Sequence, residues 1–411
     1  MTYGLIARKL SHSFSKIVHN MLFDYDYELL ELEPEQVEGF MLKKDFKAIN
    51  VTIPYKETVI PYLDYVSDTA KAIGAVNTIV NKDGKLYGYN TDFFGMTSLI
   101  KKAGIDFYDK NVLILGSGGT CKTSVAVARH LGCRRIDIVS RSGGENKITY
   151  EQALLKADTH IIINTTPCGM FPDIHKCPID IDAFENLQGV IDAIYNPLCS
   201  QLVLKAKQKG IKATGGLYML IAQAALAAEK FIDTEVPESE IDRVYNGVMA
   251  QKQNIVLIGM PASGKSSVGK ILAQRLNMPL IDTDTEIEKV SGCSIPDIFA
   301  KEGEASFRNI ETEVIKQLAS KQGCIIATGG GAILREQNVM ALKQNGVLYF
   351  LDRNLDLLIT TSDRPLSSTR EALTARYNER YDKYLACCDE KIDSNGTPAD
   401  AADAIERSFL A

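Results

Sequence analysis

The sequence predicts an α/β protein built from βα units around parallel sheets, and three observations carry that prediction. Short apolar runs alternate with amphipathic stretches along the whole chain, the pattern of strands alternating with helices. Two five-residue apolar runs lead straight into glycine turns and then helical stretches. Asn111–Leu115 runs into Gly116-Ser117-Gly118-Gly119, and Asn254–Ile258 into Gly259-Met260-Pro261-Ala262-Ser263-Gly264-Lys265-Ser266. At 411 residues the chain also exceeds the usual size of one hydrophobic core, so two or three domains are expected.

Taken in order, the first block (about residues 1–92) holds strand-like runs at 3–7, 27–32 and 48–53, with helical segments between them. The second opens at 111–115 and continues with strands at 135–140, 159–164 and 189–193. Residues 216–230 and 238–249 read as helices, 249–253 as a short polar linker, and the pattern restarts at 254–258. These readings divide the chain into residues 1–92 with 214–247, residues 93–213, a linker at 248–253, and residues 254–411.

The net charge of -6 and pI near 5.6 give no general electrostatic reason to bind nucleic acid or an anionic membrane. Any anionic ligand must be caught by local basic residues and backbone amides. The longest apolar run, 216–228, is interrupted by Gln223 and is too short to span a bilayer. Arg8, Lys9 and His12 occupy the place where a signal peptide needs its apolar region. A cytoplasmic protein is expected, without nucleic-acid or membrane partners; the oligomeric state stays open, a monomer included. The nine cysteines include no C-x-x-C pair and the five histidines show no metal-ligand spacing, so buried or incidental thiols are expected.

Residues 259–266 fit G-x-x-x-x-G-K-[ST], and the chemistry needs this order. Glycines let backbone amides wrap a β-phosphate, the helix amino terminus adds a positive dipole, Lys265 reaches the outer phosphates, and Ser266 ligates Mg²⁺. ATP and Mg²⁺ are the implied ligands, with Pro261, Ala262, Ser263, Gly264 and Ser267 completing the cradle. Downstream stand Leu280-Ile281-Asp282-Thr283-Asp284, Phe307-Arg308, Ile325-Ile326-Ala327-Thr328-Gly329-Gly330-Gly331, Asp363-Arg364-Pro365-Leu366, and Glu379-Arg380 with Tyr384. Alone, each has a plain structural meaning: Asp284 a helix cap, the glycines a turn, Arg380 a solvated charge.

In this order they resemble shikimate kinase across 254–411. The resemblance implies that Asp282 holds Mg²⁺, through water, beside Ser266. Asp284 would bind the substrate hydroxyls and accept or orient the proton of the attacking one. Arg308 and Arg380 would clamp the substrate carboxylate with their planar forks. Gly329, Gly330 and Gly331 would bring backbone close to the ring. Arg364, on a lid, would bind the nucleotide and neutralise charge on the transferring phosphoryl group. The stretch 362–369 is shorter than the family's usual lid, and Arg353 and Arg370 are the nearest candidates for a second lid arginine.

The first glycine turn, Gly116-Ser117-Gly118-Gly119-Thr120-Cys121, begins as G-x-G-x-x-G and ends in Cys121. A second strand ending at Ser140-Arg141-Ser142, about twenty residues on, supplies the βαβ unit that a dinucleotide needs. Where NAD-binding proteins place Asp or Glu, this chain has Ser140 and Arg141, which suits the extra 2′-phosphate of NADP(H). The plain alternative is a solvent-facing arginine. Glu145 stands where a second basic residue is often found, with Lys147 two further on.

Seven further segments surround that turn: Leu10-Ser11-His12-Ser13-Phe14-Ser15, Asn50-Val51-Thr52-Ile53-Pro54-Tyr55-Lys56, Gly74-Ala75-Val76-Asn77-Thr78, Gly88-Tyr89-Asn90-Thr91-Asp92, Asn164-Thr165-Thr166-Pro167-Cys168-Gly169-Met170, Asp192-Ala193-Ile194-Tyr195-Asn196-Pro197, and Gly216-Leu217-Tyr218-Met219-Leu220-Ile221-Ala222-Gln223. The series resembles shikimate dehydrogenase from residue 1 to about 247. Lys16 departs from the family's proline, and Arg8-Lys9 from its small or proline-containing turn. The implied reduction of a ring ketone needs a hydride on one face and a proton for the developing alkoxide. Lys56 can donate that proton or stabilise the oxyanion, with Asp92 holding it charged and oriented. Ser13 and Ser15, at period two on an extended segment, can bind one carboxylate. Thr52, Asn77 and Gln223 suit ring hydroxyls; by the same resemblance Tyr195 joins the substrate set and Gly216 the cofactor set. The competing reading makes Lys56–Asp92 a structural pair and the serines turn caps.

The resulting expectation is a substrate-binding α/β domain plus a Rossmann-like NADP domain, followed by a P-loop kinase domain with a parallel sheet flanked by helices. It would reduce 3-dehydroshikimate to shikimate with NADPH and phosphorylate shikimate with ATP. One alternative makes the kinase half a catalytically weak nucleotide-binding module, although such a module would not need Arg308 and Arg380. Another gives the dehydrogenase a preference for quinate or another polyol acid.

Overall fold

The computed structural model describes residues 2–10, 13–358 and 369–410. The chain separates into two compact units, residues 1–248 and 249–411. The first unit holds two sheets. Strands β1 (Tyr3–Ala7), β2 (Tyr27–Glu31), β3 (Ala48–Val51), β4 (Tyr65–Val66), β5 (Thr78–Lys82) and β6 (Lys85–Tyr89) form one of them, in the order β2-β1-β3-β5-β6-β4. The parallel expectation holds for β1 to β3, whereas β5 runs antiparallel to both β3 and β6. The cause is local. Asp83 and Gly84, between β5 and β6, take φ of 52° and 80°, the pair of left-handed residues that a two-residue hairpin turn requires.

Strands β7 (Asn111–Leu115), β8 (Arg135–Val139), β9 (Ile161–Asn164), β10 (Gly189–Asp192) and β11 (Lys212–Thr214) form an all-parallel sheet in the order β11-β10-β9-β7-β8. Strands β7 and β9 are buried along their whole length, which is why they read as unbroken apolar runs. Strand order reverses between β7 and β9, so their carboxyl ends open a crevice of the kind that takes a ligand in such sheets.

Helix Asp92–Ala103 packs on helix Leu217–Ile232, and Gly95 sets the approach. A Cβ at Gly95 would lie 2.5 Å from Met219 O and 2.9 Å from Gln223 Cβ. Without that side chain the two helices close together and deliver Gln223 to the residues ahead of Asp92. Ile221, wholly buried in the same helix, contributes about 1.5–3 kcal/mol to holding it in the fold.

The second unit has one parallel sheet: β12 (Asn254–Ile258), β13 (Leu280–Asp282), β14 (Ile325–Ala327), β15 (Gly346–Asp352) and β16 (Glu390–Asp393), in the order β13-β14-β12-β15-β16. Ile255, Leu257, Ile325 and Leu351 meet Val268, Leu272, Ala401 and Ile405 of the covering helices in its core. Helix Ile295–Ala319 is interrupted at Gly303, whose φ of 81° and ψ of 175° lie outside the helical region. The expected linker at 248–253 differs from the structure. Helix Glu238–Lys252 runs through it, because Ala250, Gln251 and Lys252 are good helix formers and Gln253 N still donates to Met249 O at 2.8 Å. Among the described residues no helix is long and apolar enough to cross a membrane.

Candidate functional site

Each unit gathers polar residues at the carboxyl ends of its strands. In the first, Lys56 lies on the turn after β3, and its Nζ donates to Asp92 Oδ2 at 2.5 Å. The two side chains are only 13% and 10% exposed, so the pair is shielded from solvent screening. Asp92 begins a helix, where the dipole favours its negative charge. Asn77 Nδ2 has three acceptors within reach of its two hydrogens: Thr91 Oγ1 at 2.9 Å, Asp92 Oδ1 at 3.0 Å and Gln223 Oε1 at 3.2 Å. Lys56, Asp92, Asn77 and Gln223 therefore meet in one network, which Thr91 joins by donating its N–H to Asn77 Oδ1.

Ser13 and Ser15 also meet, Oγ to Oγ at 3.1 Å, but not for the expected reason. Phe14 takes a helical conformation and Ser15 opens helix Ser15–Leu22, so the segment is a helix start rather than an extended run. The Ser15 N–H donates to Ser13 Oγ at 3.2 Å, folding the two hydroxyls together. Tyr195 hydrogen-bonds Ser13 and packs on Phe14 with ring centroids 5.2 Å apart. Thr52 is held through its backbone, donating to Ile6 O and accepting from Tyr55 N. No hydrogen bond among the described residues joins the serine cluster to the Lys56 network.

The dinucleotide turn follows β7. Gly116 takes φ 107°, and a Cβ there would fall 2.7 Å from Thr165 Oγ1 at the end of β9, so only glycine fits the crevice. Ser117 and Gly118 are exposed, and helix Gly119–His130 begins beside Thr120. A Cβ on Gly119 would come within 3.9 Å of Lys56 Cδ, so the amino end of this helix faces the lysine. Cys121, the small residue in place of a third glycine, is buried, and burial pushes its thiol up to about 11. Gly216 caps helix Leu217–Ile232 in a tight fit, where a Cβ would collide with Ala193 O.

Beyond β8, Ser140 Oγ donates to Gly143 O, and the chain folds back so that Ile148 N donates to Ile138 O at 2.9 Å. Arg141 and Ser142 are exposed on this hairpin, and Arg141 makes no hydrogen bond or ion pair among the described residues. The return brings Lys147 close enough to Cys121 to oppose the effect of burial on its thiol. Two cations thus border the turn, a donor set suited to a phosphate dianion; the hairpin, invisible in linear spacing, supplies the one that Glu145 does not.

The second unit organises around Gly329–Gly331. Gly259 and Gly264 of the phosphate loop take φ of 149° and 96°, and Ala262 takes 64°. Lys265 opens helix Lys265–Leu276, and its Nζ donates to Gly259 O at 2.9 Å and Met260 O at 2.8 Å. Ser263 is buried while Ser266 and Ser267 are exposed on the first turn. Ser266 Oγ donates to Asp282 Oδ2 at 3.0 Å, and Asp282 Oδ1 caps the next helix by accepting from Asp284 N. Among the described residues no group of three or more His, Cys, Asp or Glu could hold a metal. The Ser266–Asp282 oxygens fit an ion that keeps water and phosphate ligands, which is the habit of Mg²⁺.

A Cβ at Gly330 would lie 2.8 Å from Pro261 Cδ, and one at Gly329 2.7 Å from Asp284 Oδ1 and 3.2 Å from Glu311 Oε1. One at Gly331 would collide with the Arg308 guanidinium. Arg380 and Tyr384, on helix Arg370–Cys387, both donate to Gly330 O, at 3.1 Å and 2.5 Å. Arg308 is 8% exposed and Arg380 3%, yet Nε of each is buried without a partner. Buried donors are almost always satisfied, so these two orphaned donors suit an anionic acceptor such as a carboxylate. Burial raises the Glu311 carboxyl while Arg308 opposes the rise. Sequence reasoning passed over Glu311, although its spacing of three from Arg308 on a helix was a readable signal. Arg353 donates to Ser394 O, whose hydroxyl reaches Ser263 O of the loop, whereas Arg370 is engaged by Leu355 O and Asp356. Arg364 lies outside the described residues.

A family model for shikimate kinase matches residues 261–409, and one for the shikimate dehydrogenase substrate binding domain matches residues 5–79. The shikimate dehydrogenase (NADP(+)) of Clostridium beijerinckii is 39% identical over 263 residues, covering 59% of this chain and 96% of the relative. The solved structure of shikimate dehydrogenase 1 from Peptoclostridium difficile is similar with a TM-score of 0.56 at 35% identity, covering 60% of this chain and 98% of that one. The shikimate 5-dehydrogenase of Thermus thermophilus, solved in complex with NADP(H) and shikimate, gives 0.54 at 27% identity, with 60% and 99% covered.

Proposed function

Because the chain belongs to the shikimate dehydrogenase family over its first unit and carries a shikimate kinase domain in its second, we propose that it catalyses two consecutive reactions. The first is NADPH-dependent reduction of 3-dehydroshikimate to shikimate, and the second ATP-dependent phosphorylation of shikimate to shikimate 3-phosphate. The observation that carries this reading is the position of Lys56, between the Asp92–Asn77–Gln223 network and the amino end of the dinucleotide-turn helix.

NADPH, when bound, supplies the hydride. Lys56 gives the proton to the developing alkoxide, and Asp92 keeps the ammonium aimed. Asn77, Gln223 and Thr52 bind the ring hydroxyls, while Ser13, Ser15 and Tyr195 hold the carboxylate. Gly116 to Thr120 and Gly216 would hold the cofactor, and Ser140, Arg141, Ser142 and Lys147 would take its 2′-phosphate. Arg141→Ala is expected to weaken NADPH binding about ten- to hundredfold, the worth of one charge-assisted bond, and to leave NADH nearly unchanged. Titration of both cofactors by fluorescence checks this, and equal losses would count against the 2′-phosphate role.

In the second unit, the loop from Pro261 to Ser267 cradles the ATP phosphates, with Lys265 exchanging its carbonyl partners for phosphate oxygens. Ser266 and Asp282 would hold Mg²⁺, which neutralises phosphate charge when bound. Asp284 orients the attacking hydroxyl, Gly330 and Gly331 approach the ring, and the orphaned edges of Arg308 and Arg380 take the carboxylate. For Arg364 the resemblance supports only a role: neutralising charge on the transferring phosphoryl group.

A coupled assay of the purified chain with 3-dehydroshikimate, NADPH and ATP·Mg tests the reading. NADPH oxidation and shikimate 3-phosphate formation are both expected. Oxidation without phosphorylated product would reduce the second unit to a nucleotide-binding module, and absence of oxidation would overturn the first assignment.

A further inference from the structure

Arg308 enters the kinase site with its two ends in different company. Its Nη1 donates at 2.7 Å to Glu311 Oε2, whose side chain has no exposure, so Glu311 is a permanent counter-ion. Its Nη2 donates at 3.2 Å to Glu304 Oε1, and the Glu304 side chain is 47% exposed. Nε, which shares with Nη2 the edge that a carboxylate can bind with both oxygens, is buried and unpartnered. Glu304 therefore fills half of that edge and leaves the other half unsatisfied.

Two features let this contact be temporary. Glu304 directly follows Gly303, the residue that interrupts helix Ile295–Ala319, so the backbone beside it is the most permissive in the helix. A second cation is also at hand. Arg376 lies half-buried one helical turn before Arg380, on the same face, and its guanidinium feels Glu304 as well as Arg308 and Arg380.

We infer that Glu304 is a built-in competitor for the carboxylate clamp: it holds the outer edge of Arg308 until a substrate carboxylate takes Nε and Nη2 together and displaces it toward Arg376. The inference rests on the kinase reading above and deepens it. An anion that contacts one nitrogen gains nothing over Glu304, whereas a carboxylate that bridges both and also reaches Arg380 does. Glu304 would thus raise the site's selectivity at some expense in affinity.

Steady-state kinetics with saturating ATP on Glu304→Gln and Glu304→Asp tests this. Both variants should lower KM for shikimate about three- to fivefold, the worth of a half-exposed ion pair, with kcat held within about twofold. Inhibition by acetate, a simple carboxylate probe, should strengthen in both. Aspartate keeps the charge but loses the reach. A wild-type KM for Glu304→Asp beside a lowered one for Glu304→Gln would mean an unspecific charge effect and overturn the inference. An unchanged or raised KM for Glu304→Gln would overturn it too, by making Glu304 a support of the clamp. If the wild-type chain forms no phosphorylated product, the kinase reading fails separately. Calorimetric binding of shikimate to wild type and Glu304→Gln then decides the competition, an equal Kd in the two sinking it.

Discussion

Lys56→Ala should slow reduction of 3-dehydroshikimate by about 10³- to 10⁵-fold and leave ATP-dependent phosphorylation at the wild-type rate. The size follows from what one ammonium would supply. Proton donation to a developing alkoxide contributes about 10²–10⁴-fold, and a charge aimed at that oxygen adds to it in a site shielded from water. Lys56 and Asp92 are 13% and 10% exposed, so bulk water cannot easily take over either role. NADPH binding should persist, since the exposed turn amides and the Arg141 hairpin do not depend on the lysine. Stopped-flow NADPH oxidation measures the loss. A rate within about tenfold of wild type would remove Lys56 from the chemistry, and loss of both activities in a folded protein would refute independent sites.

Asp284→Asn is the counterpart in the second unit. It should cut shikimate phosphorylation by about 10³-fold or more while ATP affinity stays within about twofold. The substitution keeps shape and leaves the cap intact, because Asp282 receives the Asp284 backbone N–H rather than its side chain. What disappears is a carboxylate packed against Gly329 and close enough to Glu311 to raise that residue's carboxyl. The nucleotide is proposed to bind instead through Lys265 and Ser266, whose contacts do not include the Asp284 side chain. Product formation followed by phosphorus NMR, together with calorimetric ATP binding, separates the two effects. Retained turnover would take Asp284 out of the mechanism.

The parts of both sites that sequence alone makes legible are local ones. Strand, turn and helix start lie within about fifteen residues in a βα unit, so the cradle of Lys265 and the crevice at Gly116 can be read from spacing. Ser13 and Ser15 meet through a local geometry that spacing did not show: period two argued for an extended segment, but Phe14 turns helical and Ser15 N–H binds Ser13 Oγ. The β5–β6 hairpin was readable from Asp83-Gly84, yet the alternating block pattern drew attention to parallel strands instead. Approach between distant segments is harder. Nothing near Gln223 announces that Gly95 will let its helix close on Asn77, and nothing near Lys147 announces that the chain will fold back on Cys121. Glu304 and Glu311 sit at helical spacing from Arg308, but their division into movable and fixed partners depends on burial, which spacing does not encode.

Gly331 bears on how this enzyme could be inhibited. Its Cα lies so close to the Arg308 guanidinium that any side chain would have to push the arginine out of place. A compound that grips the backbone here would meet a position where any substitution has to displace the Arg308 guanidinium. Escape by substitution at residue 331 would disturb the very arginine proposed to hold the substrate carboxylate. A substitution at residue 331 that weakened such a compound would therefore also move the guanidinium proposed to hold the substrate carboxylate, so escape there would carry a cost in activity.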